Sequence, residues 1–98
     1  MISFQADHSR IKKDSHLVDL IKKRDINGLG ALYDIYAPTI LLRILRREKE
    51  LKVAENMLEK CFINSWQNID EYNSNELLLT WLVRLIPKVQ NPDHHLSR

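Results

Sequence analysis

Ala54-Glu55-Asn56-Met57-Leu58-Glu59-Lys60-Cys61-Phe62-Ile63-Asn64-Ser65-Trp66 is the stretch whose reading decides the fold. Ala54, Met57, Leu58, Cys61, Phe62, Ser65 and Trp66 recur at steps of three and four, the spacing that stacks side chains along one stripe of an α-helix. Asn56, Glu59, Lys60, Ile63 and Gln67 fall on the opposite side. The spacing predicts a helix with one packed face and one face free to meet a partner.

Working outward, the upstream chain carries three more segments with helical signals. Ser15 is placed to cap a short helix to about Arg24 with Leu17, Val18, Leu20 and Ile21 as its apolar positions. Asp25 reads as the cap of a second helix, about Ile26 to Tyr36. Gly28 and Gly30 inside it each cost on the order of 1 kcal/mol relative to Ala, a cost that close approach by a neighbouring helix would explain. Pro38 suits the first turn of a third helix to about Arg47, since the N–H it lacks has no partner there in any case. The charged junction from Glu48 to Lys52 leaves open whether the chain breaks before the central helix.

Downstream, Asn68 to Asn75 reads as a loop with Ile69 and Tyr72 tucked against a core edge. Ser74 or Asn75 is placed to cap a last helix that carries Leu77, Leu78, Trp81, Leu82, Leu85 and Ile86 until Pro87 stops it. The expected core holds Leu41, Leu45, Met57, Leu58, Phe62, Trp66, Trp81, Leu82 and Leu85. With no strand signal and no repeat, the fold class is all-α: a compact bundle of four or five helices. Residues 1–14 form a flexible lead-in, 15–88 the helical domain and 89–98 a polar tail.

Composition bounds the function. Ninety-eight residues suffice for one hydrophobic core and not for two. The formal net charge is +2, unevenly spread: Arg43, Arg46, Arg47, Lys49 and Lys52 face only Glu48 and Glu50 between 38 and 52, whereas 53–86 is net acidic. A single cysteine forms no internal disulfide, which points to a reducing, cytoplasmic compartment. No apolar run approaches the roughly 18 residues of a membrane span. No Gly-rich phosphate loop, nucleophile with its base, or paired carboxylates are present, so no enzyme, cofactor or small-molecule substrate is expected. Asp93-His94-His95 on the polar tail lacks a third fixed ligand, and no metal is expected there.

Asp25, Leu29 and Leu32-Tyr33-Asp34-Ile35-Tyr36-Ala37-Pro38, then Ala54 to Phe62 ending in Trp66, then Trp81-Leu82 before Leu85, together resemble the region-2 domain of extracytoplasmic-function sigma factors of bacterial RNA polymerase. The likeness runs over roughly residues 16–88. It implies a role in transcription initiation, with the central helix docking on the clamp helices of the polymerase largest subunit and the last helix and its following loop holding −10 promoter bases. The family's docking signature of Asp, Gln and Glu falls here on Asn56, Glu59 and Lys60, so an acid becomes neutral, an amide acidic and an acid basic. With Ile63, these residues are the expected partner site. The family's Asn after the last helix falls on Lys88, behind Pro87.

Weak DNA contact is expected from Arg43, Arg46, Arg47, Trp81, Arg84 and Lys88. Each of these features also has an ordinary structural account. Trp66 and Trp81 fall in phase with core residues, the arginines suit a solvated helix face, and Cys61 suits a buried inert thiol. Two functional readings follow from the resemblance. One is a sigma region-2 module that binds polymerase and −10 DNA; the other is a degenerate sigma-like adaptor or decoy that binds an anti-sigma factor or a polymerase subunit without directing promoter recognition.

Overall fold

Gly28, Leu32, Tyr36, Ile40 and Ile44 are all buried, and their strict four-residue spacing makes one continuous ridge along the second helix of the chain. The computed structural model describes residues 13–88. Helix α1 covers residues 13–22, α2 Ile26–Leu45 and α3 Leu51–Gln67; a 3-10 turn at Ile69–Glu71 leads to the short α4, Leu78–Arg84. Among the described residues all regular structure is helical. The molecule is a small helical bundle in which α3 packs against both α2 and α4.

Helix α1 already includes residues 13 and 14, so Ser15 lies inside it and is not its cap. The Asp14 carboxylate instead accepts the Tyr36 hydroxyl at 2.7 and 2.9 Å, tying α1 to α2. Of the expected lead-in at 1–14, residues 13 and 14 are thus helical; residues 1–12 and the tail at 89–98, with His94 and His95, lie outside the described residues. Helix α1 ends in a Schellman-type motif. The Asp25 N–H reaches back to the Leu20 carbonyl at 2.9 Å and the Arg24 N–H to the Ile21 carbonyl at 2.9 Å. Arg24 adopts φ 65°, the left-handed conformation that such a terminus needs and that glycine usually supplies. Asp25 then caps α2 as expected, its carboxylate accepting from the Asn27 N–H at 3.0 Å.

The two expected helices meeting at Pro38 are one helix of 20 residues, with Pro38 inside it. An interior proline costs about 3 kcal/mol through a lost hydrogen bond and a clash with the carbonyl four residues back. Burying one Ile side chain stabilises by about 1.5–3 kcal/mol. Ile40 and Ile44 both lie beyond the proline, at 0% and 3% exposure, and keeping them in register with Leu32 and Tyr36 outweighs the cost. Pro38 and Asp34, whose carbonyl loses the bond, face solvent. By length and composition the unbroken α2 is also apolar enough to cross a bilayer, with a mean hydropathy of 1.2, contrary to the expectation from a chain divided at Pro38. Its buried ridge serves as the core of the bundle.

Gly28 and Gly30 part company. A Cβ on Gly28 would sit 2.7 Å from the Leu20 Cβ of α1, whereas one on Gly30 would meet nothing within 4 Å. Close approach explains the first glycine and not the second. The junction does break the chain: α2 ends at Leu45, and Glu50, in an extended conformation, is the N-terminal cap position of α3. The Glu48 carboxylate accepts the Glu50 N–H at 3.0 Å.

On α3 the stripe Ala54, Met57, Leu58, Cys61, Phe62 and Ser65 is buried as the spacing predicts. Trp66, Leu41, Leu45 and Leu85 are half-buried at the margin of the core. Leu17, Val18, Ile21, Ile69 and Leu78 join Trp81 and Leu82 inside. Neither Ser74 nor Asn75 caps α4. The cap position is Leu77, 66% exposed and without a side-chain cap bond; Asn73 instead accepts the Asn75 N–H at 2.9 Å and closes a turn. Helix α4 is held at its other end by α3. The Cys61 thiol donates to the Leu82 carbonyl at 3.2 Å, which also accepts the Leu85 N–H at 2.9 Å, and the Asn64 amide donates to the Leu85 carbonyl at 3.2 Å, one of the carbonyls that a helix end leaves without an intrahelical partner.

Candidate protein and nucleic-acid interfaces

Because α3 spends one stripe on the core, its opposite side projects Asn56, Glu59, Lys60 and Ile63 outward, and all four are exposed. Their three- and four-residue spacing sets them on one strip. Among the described residues none of them has an ion pair or a side-chain hydrogen bond. Ile63 is 50% exposed and adds an apolar contact beside one acid and one base. This strip offers mixed charge around an apolar centre, a composition suited to a protein partner.

The residues expected at DNA divide into two groups. Arg43, Arg46, Arg47 and Lys88 line one cavity of about 340 Å³, although 40 residues of chain lie between the last two. Trp81 is not on the surface. Its ring is 3% exposed and packs edge-on against Tyr72, with centroids 5.3 Å apart, which removes it as a stacking platform for a base. Arg84 spans to Glu76 with both guanidinium nitrogens on the carboxylate, and this bonding, before simple charge attraction, holds the Glu76 carboxyl below its ordinary value.

A second cavity, of about 820 Å³, lies between α1 and the segment from the 3-10 turn to Leu78. Asp14, Asp19, Asp70, Glu71 and Glu76 line it against the single cation Lys22. The charges on α1 and on the turn are far apart in sequence, and only the tertiary packing makes them one acidic groove. The net acidity of 53–86 was the one sequence signal pointing to it. An acidic groove repels a phosphate backbone.

Two more contacts went unforeseen. The Arg24 guanidinium lies over the Trp66 ring, 5.1 Å from its centroid, and donates to the Trp66 carbonyl, so the residue that ends α1 also pins the end of α3. Tyr33 meets Phe62 edge-on at 4.9 Å and covers the outer margin of the α2–α3 contact. Cys61 lies on the buried side, where burial pushes its thiol up to about 12.

Set beside known proteins, the chain is similar to the ECF RNA polymerase sigma factor SigW of Bacillus subtilis (strain 168), 28% identical over 84 residues. The likeness covers 79% of this chain and 45% of that protein, so the chain spans a little under half the length of its relative. Similarity of this extent supports a sigma-70 family region and a sigma-like role in transcription. No family model matches the chain, and no solved structure matches it.

Proposed function

We propose that the chain is a cytoplasmic, non-enzymatic sigma region-2-like module that docks on RNA polymerase through the exposed strip of α3. The observation that carries this is the division of α3 into a buried stripe and a partner-free strip of Asn56, Glu59, Lys60 and Ile63, on the helix to which the resemblance assigns docking. The clamp helices of the largest polymerase subunit are the partner. An acid, a base and an exposed Ile on one strip set the on-rate and orientation of such a contact more than its depth. The expected outcome for the double charge reversal E59K/K60E is a lower association rate with purified polymerase core and an altered salt dependence, with a melting temperature within a few degrees of the parent, because exposed charges contribute little to stability. Unchanged association kinetics would remove the strip from the interface.

The acidic groove favours a second reading, in which the module acts as an adaptor or decoy that binds polymerase or an anti-sigma factor without directing promoter recognition. The resemblance gives the −10 strand to the last helix and the loop that follows it, and the loop that leads into this helix would lie near such a strand. Here that loop supplies Asp70, Glu71 and Glu76 to the groove, and the aromatic Trp81 is buried. Both features oppose the capture of a flipped base.

A further inference from the structure

The four cations brought together at the end of α2 and beyond α4 enclose a hollow rather than spread over a flat surface. Among the described residues none of Arg43, Arg46, Arg47 and Lys88 has an ion-pair partner, and no acid lines the cavity. Complementing the helix dipole accounts for only part of this. The C-terminal end of a helix carries about half a negative charge, so the C-termini of α2 and α4 together offset about one of the four. Lys49 already serves the α2 end, donating to the Leu45 carbonyl at 3.1 Å.

Between the cations the wall is apolar, formed by Ile44, Met57, Val83, Ile86 and Pro87. A volume of about 340 Å³ falls within the range of small-molecule sites. A ligand that matches both parts has a dense anionic end and a flat, weakly polar end. We propose that this cavity binds a free nucleotide carrying two or more phosphates. The guanidinium groups take the phosphate oxygens in forked, charge-assisted hydrogen bonds. The base lies on the wall, where Met57 adapts to its outline. Side-chain cations thus replace the Gly-rich backbone loop that the sequence lacks.

A nucleic-acid strand offers the same chemistry, but it needs a basic track leading away from the site. Here the chain beyond Arg47 alternates in sign instead, with Glu48, Lys49, Glu50 and Lys52 in turn, and Lys49 is folded back onto the Leu45 carbonyl. A free nucleotide needs only the cavity.

Fluorescence anisotropy with a fluorescently labelled ATP tests the proposal on the 98-residue chain, with unlabelled ATP, inorganic pyrophosphate and a short oligothymidylate as competitors. Saturable binding is expected. It should weaken on the order of tenfold in K88Q, about the loss of one charge-assisted hydrogen bond, and further in R46Q/R47Q, which removes two guanidinium groups. It should hold in K23Q, whose side chain lies away from the cavity. Thermal melts of each variant separate lost binding from lost fold. The proposal is overturned by an absence of saturable binding, by undiminished affinity in folded R46Q/R47Q, by pyrophosphate competing as well as ATP, or by oligothymidylate competing better than ATP. No polymerase is present in this assay, so its failure leaves the docking reading untouched, and failure of docking leaves the cavity untouched.

Discussion

At Gly28 the space for a methyl group is already taken by the Leu20 Cβ, whereas at Gly30 it is open. Alanine removes backbone freedom from the unfolded chain and favours a helix by about 0.5–1 kcal/mol at either position. At Gly28 this is outweighed, because the clashing atom is a Cβ fixed to its backbone, and overpacking of this kind costs about 1–3 kcal/mol. Gly28→Ala should therefore lower the denaturation midpoint and Gly30→Ala raise it; shifts of the same sign would contradict the α1–α2 crossing. Cys61 makes a separate prediction. Its folded thiol is raised to about 12 from an ordinary 9.0. Below pH 9 both folded and unfolded chains keep the proton, and the thiol adds no pH dependence. Between about pH 9 and 12 only the unfolded chain loses it, so stability falls as pH rises. In urea melts from pH 8 to 11, the stability gap between parent and Cys61→Ala should narrow above pH 9; a constant gap would mean an accessible thiol.

At the scale of the element, α2 shows how packing overrules a local rule. Proline is a sound signal for a helix start, and nothing adjacent in the sequence says that the helix began twelve residues earlier. The signal that decides it is the four-residue ridge from Gly28 to Ile44, which continues in phase through Pro38. Because the proline is exposed and its ring also restricts the unfolded chain, by about 0.4–1 kcal/mol, Pro38→Ala should stabilise by about 2–2.5 kcal/mol, the remainder of the interior-proline cost. For a domain of this size that is a rise of several degrees in Tm. A drop would show that the bundle requires a bend at this point. Helix α4 is the converse case. Seven residues without a side-chain cap are too few for an independently stable helix, and Cys61, Asn64 and the burial of Leu78, Trp81 and Leu82 hold it against α3.

For the whole molecule, charge is sorted in space. A basic cavity lies where the end of α2 meets the chain after α4, an acidic groove lies between α1 and the loop before α4, and the mixed strip of α3 lies apart from the core. Promoter strands have little to hold in this arrangement. Single-stranded oligonucleotides with a −10-like sequence should bind no better than scrambled ones at physiological salt. Any binding should fall steeply with salt, by about 0.7 log units per phosphate contact for each tenfold rise. A clear preference for the −10-like strand would overturn this and restore a base-reading role to the segment around Arg84 and Lys88.

The sequence by itself determined the elements that repeat: the buried stripe of α3 with its exposed counterpart, the Asp25 cap, Ile69 as a core residue and the all-helical class. Each is written in a local period or in a cap within a few residues of the helix it serves. Only the tertiary structure decided the unbroken α2, the different reasons for two neighbouring glycines, and the gathering of Lys88 with the arginines of α2 and of the acids into one groove. Those outcomes depend on which residues distant in sequence come to share a surface, and on whether burial on that surface outweighs a local cost of a few kcal/mol. A spacing pattern carries neither quantity.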